Sequence, residues 1–164
     1  MKKDSKTQDP DKIESDQDWM KEALALAEQA GAQDEVPVGA VVIHQGRVIG
    51  RGLNQRERLQ SPTAHAEVLA IEEAAKILGS WRLLGCVLYV TLEPCPMCLA
   101  AAQQARIEQI VYGTEDPKGG ALSLGYRLNE DTRTNHRFQT RLHPTESCRE
   151  ILKTFFARKR SSSK

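Results

Sequence analysis

Apolar positions set out most of the elements. Trp19, Ala23, Leu26 and Ala30 recur on one stripe at helical spacing, and Gly31 is expected to stop that helix. Val38–His44 is a β-branched apolar run, Gln45-Gly46 offers a tight turn, and Arg47–Leu53 returns, so a hairpin is predicted. Residues 55–61 read as a polar loop, and Pro62 fits the first turn of a second helix running through Glu67, Leu69 and Glu73 to Leu78. Val87–Leu92 is a short buried strand, Pro96 opens an Ala-rich helix to about Ala105, and Ile107–Tyr112 is a fourth strand. The Gly- and Pro-rich stretch 113–125 is a long connection with room for one helical turn. A weak strand follows near Arg137–Leu142. Thr145 is placed to cap a last helix with the stripe Cys148, Ile151, Leu152 and Phe155. A hairpin followed by alternating helices and strands predicts an α/β fold with a mixed sheet covered by helices.

The length of 164 residues suits one domain. Residues 1–17 hold only Met1 and Ile13 as apolar positions and read as a disordered polar tail. The domain then occupies 18–160, with 161–164 a flexible C-terminal tail. No apolar run approaches the ~18 residues of a membrane span. The polar N-terminus has no signal-peptide core, so a cytoplasmic protein is expected. The net charge of +1 hides an asymmetry. Residues 1–36 carry five Lys against ten Asp/Glu, whereas Arg149–Lys164 holds six basic residues against Glu150. A basic end suits an anionic partner, and equally a solvated tail.

Four cysteines without an export signal make no disulfide scaffold, and a close Cys pair then reads as a metal or redox site. Two segments carry chemistry: His65-Ala66-Glu67 and Pro94-Cys95-Pro96-Met97-Cys98. His65, Cys95 and Cys98 are three ligands for one zinc ion per chain, with a fourth position left for water, as catalytic zinc requires. With both segments in first turns of helices, helix N-termini lie near the site and favour thiolate. Glu67, two residues past His65, can stand beside the metal without ligating it, take a proton from water and pass it to a leaving nitrogen. A lone Cys-x-x-Cys or His-x-Glu would carry little; together at strand-to-helix junctions they match the zinc nucleobase deaminases. His44, His136 and His143 are not metal candidates by spacing, Cys86 and Cys148 read as small apolar residues, and Trp19 and Trp81 as core or interface.

The chain resembles the bacterial tRNA adenosine deaminases, within the cytidine/deoxycytidylate deaminase superfamily, which convert the wobble adenosine of an anticodon to inosine. The resemblance runs from about Trp19 to Arg160. It rests on Glu35–Ala40, Asn54, Pro62–Glu67, Leu88–Cys95, Arg106-Ile107, Val111–Gly113, Asp116, Lys118, Asn135-His136 and Phe155-Phe156. It implies a cytidine-deaminase-like three-layer α/β/α fold with a five-stranded mixed sheet, zinc at two helix N-termini, and a homodimer whose RNA touches both chains. It also implies roles: Asn54 bonds the flipped adenine, Asp116 meets the ribose of the preceding nucleotide, and Lys118 meets a phosphate. Phe156, Lys159 and Arg160 contact the anticodon loop of the tRNA. The chain departs from the family at Ser61, Leu99, Gln104, Glu115 and 137–144, and Pro-Cys-Pro-Met-Cys-Leu is equally at home in guanine deaminases. A guanine or nucleotide deaminase with the same zinc site, and an inactive RNA-binding zinc module, are the alternatives. Asn54 and Asp116 are also turn-forming residue types.

Overall fold

A computed structural model describes residues 15–163. Five strands form one mixed sheet in the order β2-β1-β3-β4-β5. Helix α1 (Asp16–Ala32) starts two residues inside the stretch assigned to the polar tail. Ser15 closes a capping box with Asp18, which gives the helix start a partner for its free N–H groups. Residues 1–14 of that tail lie outside the described residues. Gly31 does not stop the helix, which ends at Gln33.

β1 (Gly39–His44) and β2 (Arg47–Leu53) pair antiparallel through a turn in which Gln45 and Gly46 both have positive φ, 49° and 70°. That mirror-image turn matches strand twist, as the Gln-Gly pair predicts. The polar loop contains one turn of helix, α2 (Arg56–Leu59). Helix α3 (Ala66–Leu78) begins later than expected. Pro62 and Thr63 form a turn, and His65 occupies the N-cap position. Gly79 ends α3 in the left-handed region that favours glycine (φ 67°).

β3 (Cys86–Val90), α4 (Pro96–Gln104) and β4 (Gln109–Tyr112) form a parallel β-α-β unit. The connection 113–125 holds single helical turns closed by i→i+4 bonds, from the Gly120 N–H to the Asp116 carbonyl (2.8 Å) and from the Leu124 N–H to the Gly120 carbonyl (3.0 Å), neither continued into a helix. A 3-10 turn lies further on at Leu128–Glu130. β5 (Gln139–Leu142) pairs parallel to β4. Helix α5 (Glu146–Ser162) takes in two residues assigned to the C-terminal tail. The Thr145 hydroxyl does not cap it, donating instead to the His143 carbonyl at 2.9 Å.

Strand alternation builds two cores. Ala40, Val42, Leu88, Val90 and Ile110 pack under α3 and α4, whereas Val41, Ile43, Tyr89 and Val111 pack under α1 and α5 through Trp19, Met20, Ala23 and Cys148. The three-layer α/β/α reading is thus borne out. Trp19 and Phe155 are buried, but Trp81 is 54% exposed, its indole stacked under the Arg82 guanidinium at 4.1 Å. Cys86 and Cys148 are buried free thiols.

Close helix packing depends on three glycines. A methyl on Gly39 would lie 2.0 Å from the Ala23 carbonyl of α1. On Gly50 it would lie 2.2 Å from the Ala70 carbonyl, and on Gly52 2.0 Å from that of Ala66, both in α3. Gly50 and Gly52 share one face of β2 and set the depth at which α3, with the His65 end, sits on the sheet.

Candidate active site

The β3–α4 junction and the start of α3 bring the two sequence motifs together. Cys95 is the N-cap of α4, Cys98 lies in its first turn, and His65 is the N-cap of α3. His65 Nδ1 stands 3.6 Å from Cys95 Sγ and 3.5 Å from Cys98 Sγ, and the three donor atoms all lie within 4.8 Å of one another. Zinc bonds of ~2.0–2.1 Å to nitrogen and ~2.3 Å to sulfur, at a tetrahedral angle, separate the two donors by roughly 3.6 Å. The donor set and its spacing therefore fit zinc.

Glu67, in the first turn of α3, is only 4% exposed and hydrogen bonds to the Cys98 side chain. Burial pushes its carboxyl up to about 7, against the opposing pull of its own backbone N–H and the His65 charge. The hydrogen bond from Cys98 holds the Cys95 thiol down to about 4, and His65 adds to this as bond partner and as cation. Cys98 moves up, because it donates to Cys95 and is buried. Hydrogen bonding to Cys95 raises His65 in turn.

Asn54 is buried at the end of β2. Its Nδ2 donates to the Val36 carbonyl at 3.2 Å and its Oδ1 accepts from the Arg56 N–H at 3.2 Å, so it serves as a turn former. Val36 lines both the cavity next to Asn54 and a neighbouring groove of about 1090 Å³. Asp116, Lys118, Phe156 and Arg160 all face that groove. Asp116 Oδ1 accepts from the Lys118 and Gly119 N–H groups at 3.2 and 3.1 Å, which shapes the loop that carries both residues. Phe156 is 45% exposed, while Phe155 turns inward against it edge-on. Lys159 parts from this group: it lines the Asn54 cavity instead, paired with Asp34, which Arg158 also approaches at 3.5 Å. Asp34 follows α1 with positive φ (63°), and nothing local in the sequence forecasts its meeting with α5.

Two buried carboxylates organise the surroundings. Glu35 accepts from the Glu57 and Arg58 N–H groups at 3.2 and 2.7 Å and so anchors α2. Glu93, two residues before Cys95, accepts from Asp116 N–H (3.3 Å), Ser123 N–H (3.0 Å) and Ser123 Oγ (2.6 Å), pinning the 113–125 connection beside the site. Their positions in the motif-bearing segments were the available signal for these roles.

The pattern of the MafB19-like deaminase family matches residues 14–160. The tRNA-specific adenosine deaminase of Bacillus subtilis is 45% identical over 150 residues, covering 91% of this chain and 93% of the relative. That of Agrobacterium fabrum is 47% identical, with 87% and 94% covered. The chain belongs to the tRNA-specific adenosine deaminase family. A solved structure of the tRNA:A34 deaminases, described for A-to-I editing at the wobble position of transfer RNA, shares 45% identity with this family member at TM-score 0.75. It covers 82% of this chain and 98% of that one. The guanine deaminase of Bacillus subtilis is also similar, at 38% identity and TM-score 0.62, with 69% of this chain and 71% of that one covered. Among the described residues of this deaminase, no helix is long and apolar enough to cross a membrane.

Proposed function

We propose that the chain is a zinc-dependent hydrolase that deaminates adenosine to inosine at the wobble position of a tRNA anticodon. The 45–47% identity to tRNA-specific adenosine deaminases over most of the chain carries this reading. A groove of about 1090 Å³ is lined by Lys118, Arg160 and an exposed Phe156, which suits a backbone of phosphates with an unstacked base.

His65, Cys95 and Cys98 would hold the ion, one per chain. When bound, zinc brings the ionisation of a water into the neutral range and so supplies a nucleophile. Glu67 takes a proton from the attacking water as the water oxygen bonds to C6 of a flipped adenine. The same carboxyl then delivers the proton to the amino nitrogen as the C6–N bond breaks, so ammonia leaves and C6 keeps oxygen. Asn54 orients the base, and its anchored amide holds a fixed position for doing so. Asp116 meets the ribose of the preceding nucleotide, Lys118 a phosphate, and Phe156 and Arg160 the anticodon loop. Lys159, whose pair with Asp34 is exposed and so weakly held, contacts the same loop. A homodimer working in the cytoplasm completes the reading.

The test is to incubate the zinc-assayed protein with an anticodon stem-loop, guanine and cytidine, and to identify each product. Inosine in the RNA and about one zinc per chain, lost in His65→Ala, are expected. Turnover of guanine with an untouched stem-loop would transfer the site to the guanine deaminase reading. Light scattering checks the dimer.

A further inference from the structure

Two cations in the groove are used neither by the zinc chemistry nor by the family resemblance. Arg149 and Lys153 stand on α5 two turns and one turn before Phe156, and with Phe156 and Arg160 they recur at intervals of four, three and four residues. That spacing puts all four on one helix face. At 1.5 Å per residue, the row from Arg149 to Arg160 is about 16 Å long, with Lys153 about 6 Å from its start. The opposite stripe, with Cys148 and Phe155, is buried, so the row faces outward into the groove. Lys118 lines the same groove from the 113–125 connection.

Three acids, Glu115, Asp116 and Glu146, line the groove against the four cations Lys118, Arg149, Lys153 and Arg160. Asp116 spends one oxygen on two backbone N–H groups, and Glu115 has no cation partner among the described salt bridges. Glu146 holds Arg149 at 2.7 Å, with both side chains more than 60% exposed. An exposed pair of this kind is worth ~0–1 kcal/mol, so Arg149 exchanges it readily for a phosphate, which it can grip with two N–H groups. Lys118, Lys153 and Arg160 enter no salt bridge among the described residues. Unpaired cations spaced along one helix suit a polyanion with repeating charge.

We propose that Arg149 and Lys153 are phosphate-binding residues, extending the RNA contact along α5 beyond Phe156 and Arg160 to the backbone that flanks the reacting base. The proposal rests on the RNA reading given above.

The test measures affinity for a labelled anticodon stem-loop over a salt series by fluorescence polarisation. The zinc-loaded full chain is compared with Arg149→Ala/Lys153→Ala, Lys153→Arg, Glu146→Gln and Lys76→Ala, the last on α3 across the sheet. Each lost phosphate contact removes about 0.7–0.9 from the slope of log K against log salt. The double variant should therefore lose about 1.4–1.8, and bind roughly 25- to 60-fold more weakly near 0.1 M salt on the same exponent. Lys153→Arg should keep the slope, Glu146→Gln should bind more tightly by freeing Arg149, and Lys76→Ala should match the unmodified chain. A double variant with unchanged slope and affinity, or an equal loss in Lys76→Ala, overturns the proposal. A thermal melt of the double variant guards against unfolding, and charge-preserving Lys153→Arg gives the independent readout. If the unmodified chain fails to deaminate the stem-loop, the RNA reading has failed; if it deaminates and the double variant binds alike, only the α5 row has.

Discussion

Gly52→Ala should cripple turnover out of proportion to its cost in stability. The new methyl would sit 2.0 Å from the Ala66 carbonyl and 2.7 Å from the Ala70 N–H, where ordinary contact begins at 3.4 Å. The start of α3 must therefore yield by roughly 1.4 Å, since both obstacles are backbone of a hydrogen-bonded helix. Ala66 lies between His65 and Glu67, so the displacement falls on the metal ligand and the proton carrier together. Overpacking costs about 1–3 kcal/mol, which lowers Tm by roughly 2–12 °C for a chain of this size. A misplacement of about 1 Å costs turnover about 10²-fold. Gly79→Ala separates the two effects. It forces an alanine into a left-handed C-cap at about 1–2 kcal/mol but meets no atom within 4 Å, far from the start of α3. Single-turnover deamination of the stem-loop, bound zinc and a thermal melt are read on both variants. If Gly52→Ala turns over as fast as Gly79→Ala at comparable Tm, the glycine does not set the helix depth and the reasoning fails.

Three further outcomes follow from named contacts. Glu67→Ala should keep zinc and bind RNA while single-turnover deamination falls by about 10²–10⁴, the usual loss for a general acid–base; loss of metal instead would make Glu67 a ligand. Glu93→Gln turns one acceptor oxygen into a donor facing N–H or O–H donors, and charged hydrogen bonds are worth about 1.5–3 kcal/mol each. Tm should fall by roughly 3–12 °C, with faster hydrogen exchange at the Asp116 and Ser123 amides, and unchanged exchange there would refute the anchor. Asp16 takes bonds from Arg141 (2.8 Å) and Tyr89 (2.6 Å), with Arg141 the main cause holding its carboxyl below the ordinary 3.8. A depressed value contributes stability above 3.8 that fades as pH drops through the folded value. Asp16→Asn should accordingly be less stable at neutral pH and converge on the unmodified chain in acid, as read by urea melts across pH.

The hairpin, the β3-α4-β4 unit and the Cys95/Cys98 pair were legible because their signals are local. A Gln-Gly turn, a Pro at the first position of α4 and a Cys-x-x-Cys each need only a few neighbouring residues. The start of α3 was misplaced because Pro62 satisfies a helix N-terminus and a turn equally well, and only the packing of β2 decides between them. Lys159 takes its RNA role from the family resemblance, and no local signal gives its pair with Asp34. Its partner Asp34 is 125 positions away, brought near by α1 and α5 lying on one face of the sheet. Glu35 and Glu93 were quoted only as parts of matching segments, since an acid in a sequence gives no sign that backbone N–H groups will replace its water. Arg149 and Lys153 passed as general basic character, because a helix face becomes a row only when the opposite stripe is known to be buried.

The manner in which Glu35 and Glu93 hold their loops bears on how freely those loops can be rewritten. Of the five hydrogen bonds they accept, four come from main-chain N–H groups and only one from a side chain, Ser123 Oγ. The grip is thus nearly indifferent to which residues occupy positions 57, 58 and 116, provided none is proline. Side chains facing the groove can be exchanged while the backbone keeps its path, so substrate preference and loop position are separately adjustable. The two buried acids make the rim of the site a modular surface on a fixed frame, and libraries aimed at new nucleic-acid targets should vary the rim and leave both glutamates untouched.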